Sequence, residues 1–214
     1  MTHARPDRSL IGMTTHRIRG RSGVEANARL TAMTGMVLLV LFIAEIATVL
    51  IGARSVLTLH VTLGLLLVPP VLLKVASTTW RMTASYRGNA AYREKGPPAL
   101  ALRILGPFLV VLTMLVFLSG IALIVGPRPL HGSFLIVHKA SFYLWLLALV
   151  IHVAAHSKNV IRLAGNDITR HTRMRTAGAR YRLITLTSSL VLGGGIALAL
   201  AHRAETYLHF YLHK

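Results

Sequence analysis

The stretch IVHKASFYLWLLALVIHVAAHS, residues 136–157, is apolar enough to cross a bilayer, yet it carries His138, His152 and His156. A membrane-spanning helix needs about 20 predominantly apolar residues. Polar side chains in hydrocarbon cost free energy, so a histidine inside such a segment points first to a functional site. His138 and His152 are 14 positions apart, roughly 21 Å along a helix and about 40° short of four full turns. They therefore fall on nearly one face at two depths of the membrane, with His156 one turn further, at headgroup level.

The rest of the chain has the same character. It is 54% hydrophobic with a mean hydropathy of +0.60, and it holds 24 Lys and Arg against 6 acidic residues. Such a basic balance is compatible with nucleic-acid binding, but the cations lie between long apolar runs and not along one soluble face, so no nucleic-acid partner is expected. The absence of cysteine excludes disulfides, thiolate-bound iron–sulfur clusters and covalent c-type haem attachment. The few carboxylates argue against a carboxylate-bridged di-metal site. The first 30 residues are polar and Arg-rich without an apolar core beside a cleavage site, so no signal peptide is expected.

Five apolar runs, 31–52, 56–77, 104–125, 134–156 and 183–201, predict an all-α integral membrane helical bundle. Four of them form the core and the fifth is a peripheral transmembrane helix. Its LGGGIALALA stretch suits close approach of a neighbouring helix. Lys and Arg number six in 1–30, five in 78–103 and seven in 157–182, against four in the opposite set, Arg54, Arg128, Arg203 and Lys214. Cytoplasmic loops carry the excess of cations. The expected topology is multi-pass in the cytoplasmic (inner) membrane, N-terminus cytoplasmic and C-terminus outside. The expected division is a basic cytoplasmic segment 1–30, a four-helix membrane domain 31–156, a basic cytoplasmic loop 157–182, and a fifth helix with an outer tail, 183–214. The loop 157–182 has the composition of a segment partly helical along the membrane surface. In the tail, His202, His209 and His213 read as interfacial anchors, with no site assigned.

With this orientation His60, in the second run, lies about as deep as His138 in the fourth. Two histidines at matched depth on different helices can each give one nitrogen to an axial position of a haem b iron. Neutral imidazole brings no net charge into the low-dielectric core. A lone membrane histidine can instead hydrogen-bond a carbonyl or serine on a neighbouring helix. Deeper in the membrane, Lys74 lies 14 residues after His60, beyond a helix interruption at Pro69-Pro70. It reads as snorkelling to the cytoplasmic surface, or as a polar pair with His152. In the outer half, Glu45 and Lys139 read as a buried pair, or Glu45 as a proton acceptor near the haem.

These residues resemble the bacterial cytochrome b561 and nickel-hydrogenase cytochrome b family. TLHVTLGLLL, residues 58–67, is similar to its second-helix motif, a histidine four residues before a glycine, and 137–157 is similar to its fourth helix. The resemblance covers roughly residues 29–165. It implies an outer haem held by His60 and His138, and an inner one held by His152 and a first-helix histidine. Here the first span begins ARLTAMTGMVLLV, residues 28–40, without a histidine. Met33, Met36 and Lys74 are the remaining candidates opposite His152. The expectation is one haem b, at His60 and His138, with two as the alternative.

The functional expectation is a cytochrome that carries single electrons between the quinone pool and a redox partner subunit. An electron carrier is expected over a complete oxidoreductase, since no substrate-activating constellation is visible. The rival is a metal-ion or proton transporter using the membrane histidines, which would want carboxylates staggered through the membrane. Only Glu45 meets that requirement.

Overall fold

The computed structural model describes residues 8–87, 100–168 and 178–202. They form five helices: α1 (Arg8–Gly52), α2 (Leu57–Tyr86), α3 (Leu100–Val125), α4 (His131–Ile168) and α5 (Ala179–Leu200). A 3-10 turn at Arg128–Leu130 leads into α4, and no strand occurs among the described residues. Five segments are long and apolar enough to span a bilayer: Gly23–Gly52, Leu57–Tyr86, Arg103–Val125, Arg128–Ala155 and Ala179–Leu200. In four of them only 17% of the most apolar window is buried inside the protein. Large side chains such as Leu50, Val191 and Leu198 stand exposed on the outside. A surface of that kind is stable only in contact with hydrocarbon. The chain is a multi-pass, all-α membrane protein.

Polarity marks where the membrane ends, and the helices run past it. α1 begins at Arg8 and crosses the expected boundary at residue 30 without a break. α4 likewise continues through the first part of the basic segment to Ile168. Between Pro6 and Pro69 there is no proline, so nothing removes an amide from the α1 ladder. α1 stops at Gly52, whose φ of +106° is the left-handed conformation that glycine adopts at helix C-termini. Ser55 closes the turn, donating from both its amide (2.9 Å) and its hydroxyl (2.7 Å) to the Gly52 carbonyl.

The expected interruption at Pro69-Pro70 is absent: α2 is one helix from Leu57 to Tyr86, and both prolines are buried within it. Their missing amides leave the carbonyls of Leu65 and Leu66 without the usual i→i−4 donor. Gly193 of α5 packs against the Leu66 carbonyl so closely that any Cβ there would collide with it. A glycine Cα–H offers such a carbonyl a weak substitute donor. Around Gly194 and Gly195 a Cβ would meet nothing within 4 Å, so one glycine of the three makes the close approach expected of the fifth span.

Among the helices α1 is central, packed against α2 on one side and α4 on the other. α3 lies against α4, α5 lies against α2, and α2 barely touches α3. The four-helix ring is thus closely packed on three sides and thin on the fourth, and α5 is peripheral to it. At the end of the bundle away from the α1–α2 turn, α1 and α2 are tied by polar contacts. Asn27 Nδ2 donates to the Ser77 carbonyl (3.1 Å), and Thr31 Oγ1 lies 3.0 Å from Ser77 Oγ. Such interhelical bonds contribute on average about 0.6 kcal/mol each in a membrane.

Candidate functional site

His60 falls in the first turn of α2, where its amide bonds the Val56 carbonyl at 2.9 Å. The short turn after Gly52 brings this residue back beside the last two turns of α1. Its Nδ1 lies 2.8 Å from Thr48 Oγ1 and 3.1 Å from Glu45 Oε1. Thr48 has one hydroxyl hydrogen, and it is directed to the Glu45 backbone carbonyl at 2.6 Å. With that hydrogen on the carbonyl, Thr48 accepts from His60, which assigns the His60 proton to Nδ1.

His138 lies two turns into α4, and the same logic applies to it. Its Nδ1 is 3.0 Å from the Val116 carbonyl of α3 and 3.2 Å from Ser119 Oγ. A carbonyl only accepts, and the Ser119 hydroxyl donates back to Leu115 O at 2.5 Å. His138 is thus also the Nδ1–H tautomer. Both rings use Nδ1 as donor and keep the Nε2 lone pair. Nε2 of neither ring makes a hydrogen bond among the described residues.

The two ring centroids are 6.3 Å apart, with ring planes at 85°. Metal–imidazole bonds of about 2 Å on opposite sides of one ion would set ring centres roughly 6 Å apart. Holding a ligating imidazole by its other nitrogen on a carbonyl or carboxylate is the usual way of orienting it and raising its basicity. His60 and His138 are therefore the residues that could hold a haem iron, at a ring separation that suits it.

Two glycines leave room beside the rings. A Cβ at Gly120 of α3 would lie 3.1 Å from His138 Cε1, and one at Gly64 of α2 would lie 3.4 Å from Glu45 Oε1. Aromatic side chains form a floor one to two turns deeper. Phe42 meets Trp145 edge-on at 4.8 Å, and Phe142 stacks on Trp145 at 6.1 Å. Trp145 is anchored by a buried 3.0 Å hydrogen bond from Nε1 to Thr113 Oγ1. All four core helices contribute to this layer, and its apolar floor limits access of water to the rings from below.

The expected Glu45–Lys139 pair does not form. Glu45 faces His60 across the α1–α2 contact, while Lys139, one residue on from His138, points out of the bundle and is exposed. Lys74 neither snorkels nor pairs with His152. Its Nζ turns inward and donates to the Thr31 carbonyl of α1 at 2.6 Å, with Gly35 making room for it. The cause is the tight α1–α2 packing, which puts the Thr31 carbonyl within reach of Nζ. Met33 and Met36 pack with Leu73 of α2 and Leu183 and Leu186 of α5, whereas His152 is on α4. The His156 side chain, the loop segment 88–99 and the tail from residue 203 lie outside the described residues.

Thr48, Ser119 and the Val116 carbonyl were not among the residues expected from sequence. Thr48 follows Glu45 by three positions, which on a helix puts them on one face, so it was open to detection. A backbone carbonyl leaves no such signal. Neither protein-family profiles, nor curated proteins, nor solved structures give a match to this chain.

Proposed function

We propose that the protein is a membrane-embedded b-type cytochrome that holds one haem b between His60 and His138. In this reading it carries single electrons between the quinone pool and a redox partner subunit. It would be an electron-transfer component of the kind found in the cytochrome b561 and nickel-hydrogenase cytochrome b family, and not a complete oxidoreductase. The observation that carries the reading is the pair of imidazoles. Both are held through Nδ1 by groups on neighbouring helices, and their ring centres are 6.3 Å apart, close to the roughly 6 Å expected of two imidazoles on one ion.

A haem bound there would be held by His60 and His138 and would supply an iron able to take up and release one electron. The chain's own residues do the rest. Glu45, Thr48, Val116 and Ser119 orient the two imidazoles. Phe42, Phe142 and Trp145 keep the space below them apolar. The cation distribution supports insertion in the cytoplasmic membrane with the N-terminus inside and the histidine pair nearer the outer face. The visible spectrum of the purified protein tests this reading. Reduction should give sharp α and Soret bands, and Ala at His60 or His138 should abolish most of them while the chain still inserts. A colourless protein would overturn it, and full low-spin haem in both single variants would overturn the assignment to His60 and His138.

A further inference from the structure

The two rings are not held alike. Against His138 stand a backbone carbonyl and a serine hydroxyl, both neutral. Against His60 stand a threonine hydroxyl and a carboxyl group, Glu45, on the same nitrogen. Thr48 alone, at 2.8 Å, would satisfy the His60 Nδ1–H. Glu45 is thus not needed to complete the hydrogen bonding, and its other oxygen, Oε2, is buried with no hydrogen-bond partner among the described residues. A buried polar atom left unsatisfied is costly and rare in native structures. A carboxyl held there at the level of the histidine pair calls for a role beyond packing.

Resting on the bis-histidine haem reading, we infer that Glu45 is a positioning residue that strengthens His60 as an axial ligand and thereby lowers the reduction potential of the haem. An acceptor on the Nδ1–H raises the basicity of Nε2, and a more basic ligand favours Fe(III) over Fe(II). The carboxyl does this on one side only, so His60 becomes the stronger ligand and His138 the weaker. Neighbouring-acceptor changes of this kind typically alter metal affinity 10–100-fold. A tenfold change in the equilibrium constant of a one-electron reduction corresponds to about 59 mV.

The test is a redox titration of the purified holoprotein at one fixed pH, with haem content and the low-spin electron paramagnetic resonance spectrum recorded for each variant. Glu45→Leu removes the carboxyl 3.1 Å from His60 Nδ1, leaves Thr48 as the acceptor, and puts an apolar chain that suits the membrane in its place. It should raise the potential by about 59 mV, a tenfold shift toward the reduced form, and alter the ligand-field spectrum. Glu45→Gln keeps an acceptor oxygen of the same size and should fall between Leu and wild type with full haem content. Wild-type potential and spectrum in Glu45→Leu, with haem fully retained, would overturn the inference and leave the haem reading standing. Failure of the haem reading itself would show in the wild-type protein, which would then carry no haem to titrate.

Discussion

The carbonyl of Leu66 lies directly against Gly193, at the point where Pro70 has taken away the amide that would otherwise bond it. A defect in one helix is thus matched by a missing side chain in another. The match decides where α5 docks on α2, because no other residue type lets the two backbones meet at that height.

Replacing Gly193 with Val should therefore push α5 off α2. Overpacking of this kind typically costs about 1–3 kcal/mol, readable as a lower unfolding midpoint in detergent. Gly195→Ala, in open space, should be neutral or stabilise by up to about 1 kcal/mol through helix propensity. Equal effects of the two changes would contradict this account of the contact.

Gly120 gives a second expected outcome. A Cβ there would lie 3.1 Å from His138 Cε1, so Gly120→Ala should retain haem with a shifted low-spin spectrum, and Gly120→Val should lose most of it. Gly106→Ala, on the same helix with nothing within 4 Å, is the control and should match wild type. Haem retention through gel filtration reads the difference, and full retention in Gly120→Val would place the haem elsewhere.

Haem number follows from the deeper layer. Lys74 is tied to Thr31 and Met33 packs toward α5, so neither of these candidates is turned toward a second axial site. A pyridine haemochrome assay should give about one haem per chain, unchanged in His152→Ala. About two, dropping to about one in that variant, would show a second site at His152.

Topology is open to direct labelling, since the chain contains no native cysteine. A cysteine at Ser55, in the α1–α2 turn, should react with an impermeant maleimide from outside intact cells. One at Arg180, at the start of α5, should react only after the membrane is opened. The reverse pattern would invert the proposed orientation.

The five spans and the all-α class were legible in the sequence, because hydrocarbon imposes both a minimum apolar length and complete internal satisfaction of the backbone. The depth match of His60 and His138 was legible too, since rise per residue converts sequence position into height along a helix. Helix ends were not, because α1 and α4 continue into polar segments where neither apolarity nor proline marks a stop. Rotation about each helix axis was also hidden. Depth alone allowed Glu45 to face Lys139 and Lys74 to face His152. The packing of α1 between α2 and α4 turned Glu45 to His60 and Lys74 to Thr31 instead. The acceptors that fix both imidazole tautomers include a main-chain carbonyl, which every residue possesses and no side-chain pattern announces. The sequence determined which residues share a level of the membrane; the tertiary structure decided which of them touch, because that depends on helix rotation and neighbour order, to which hydropathy is blind.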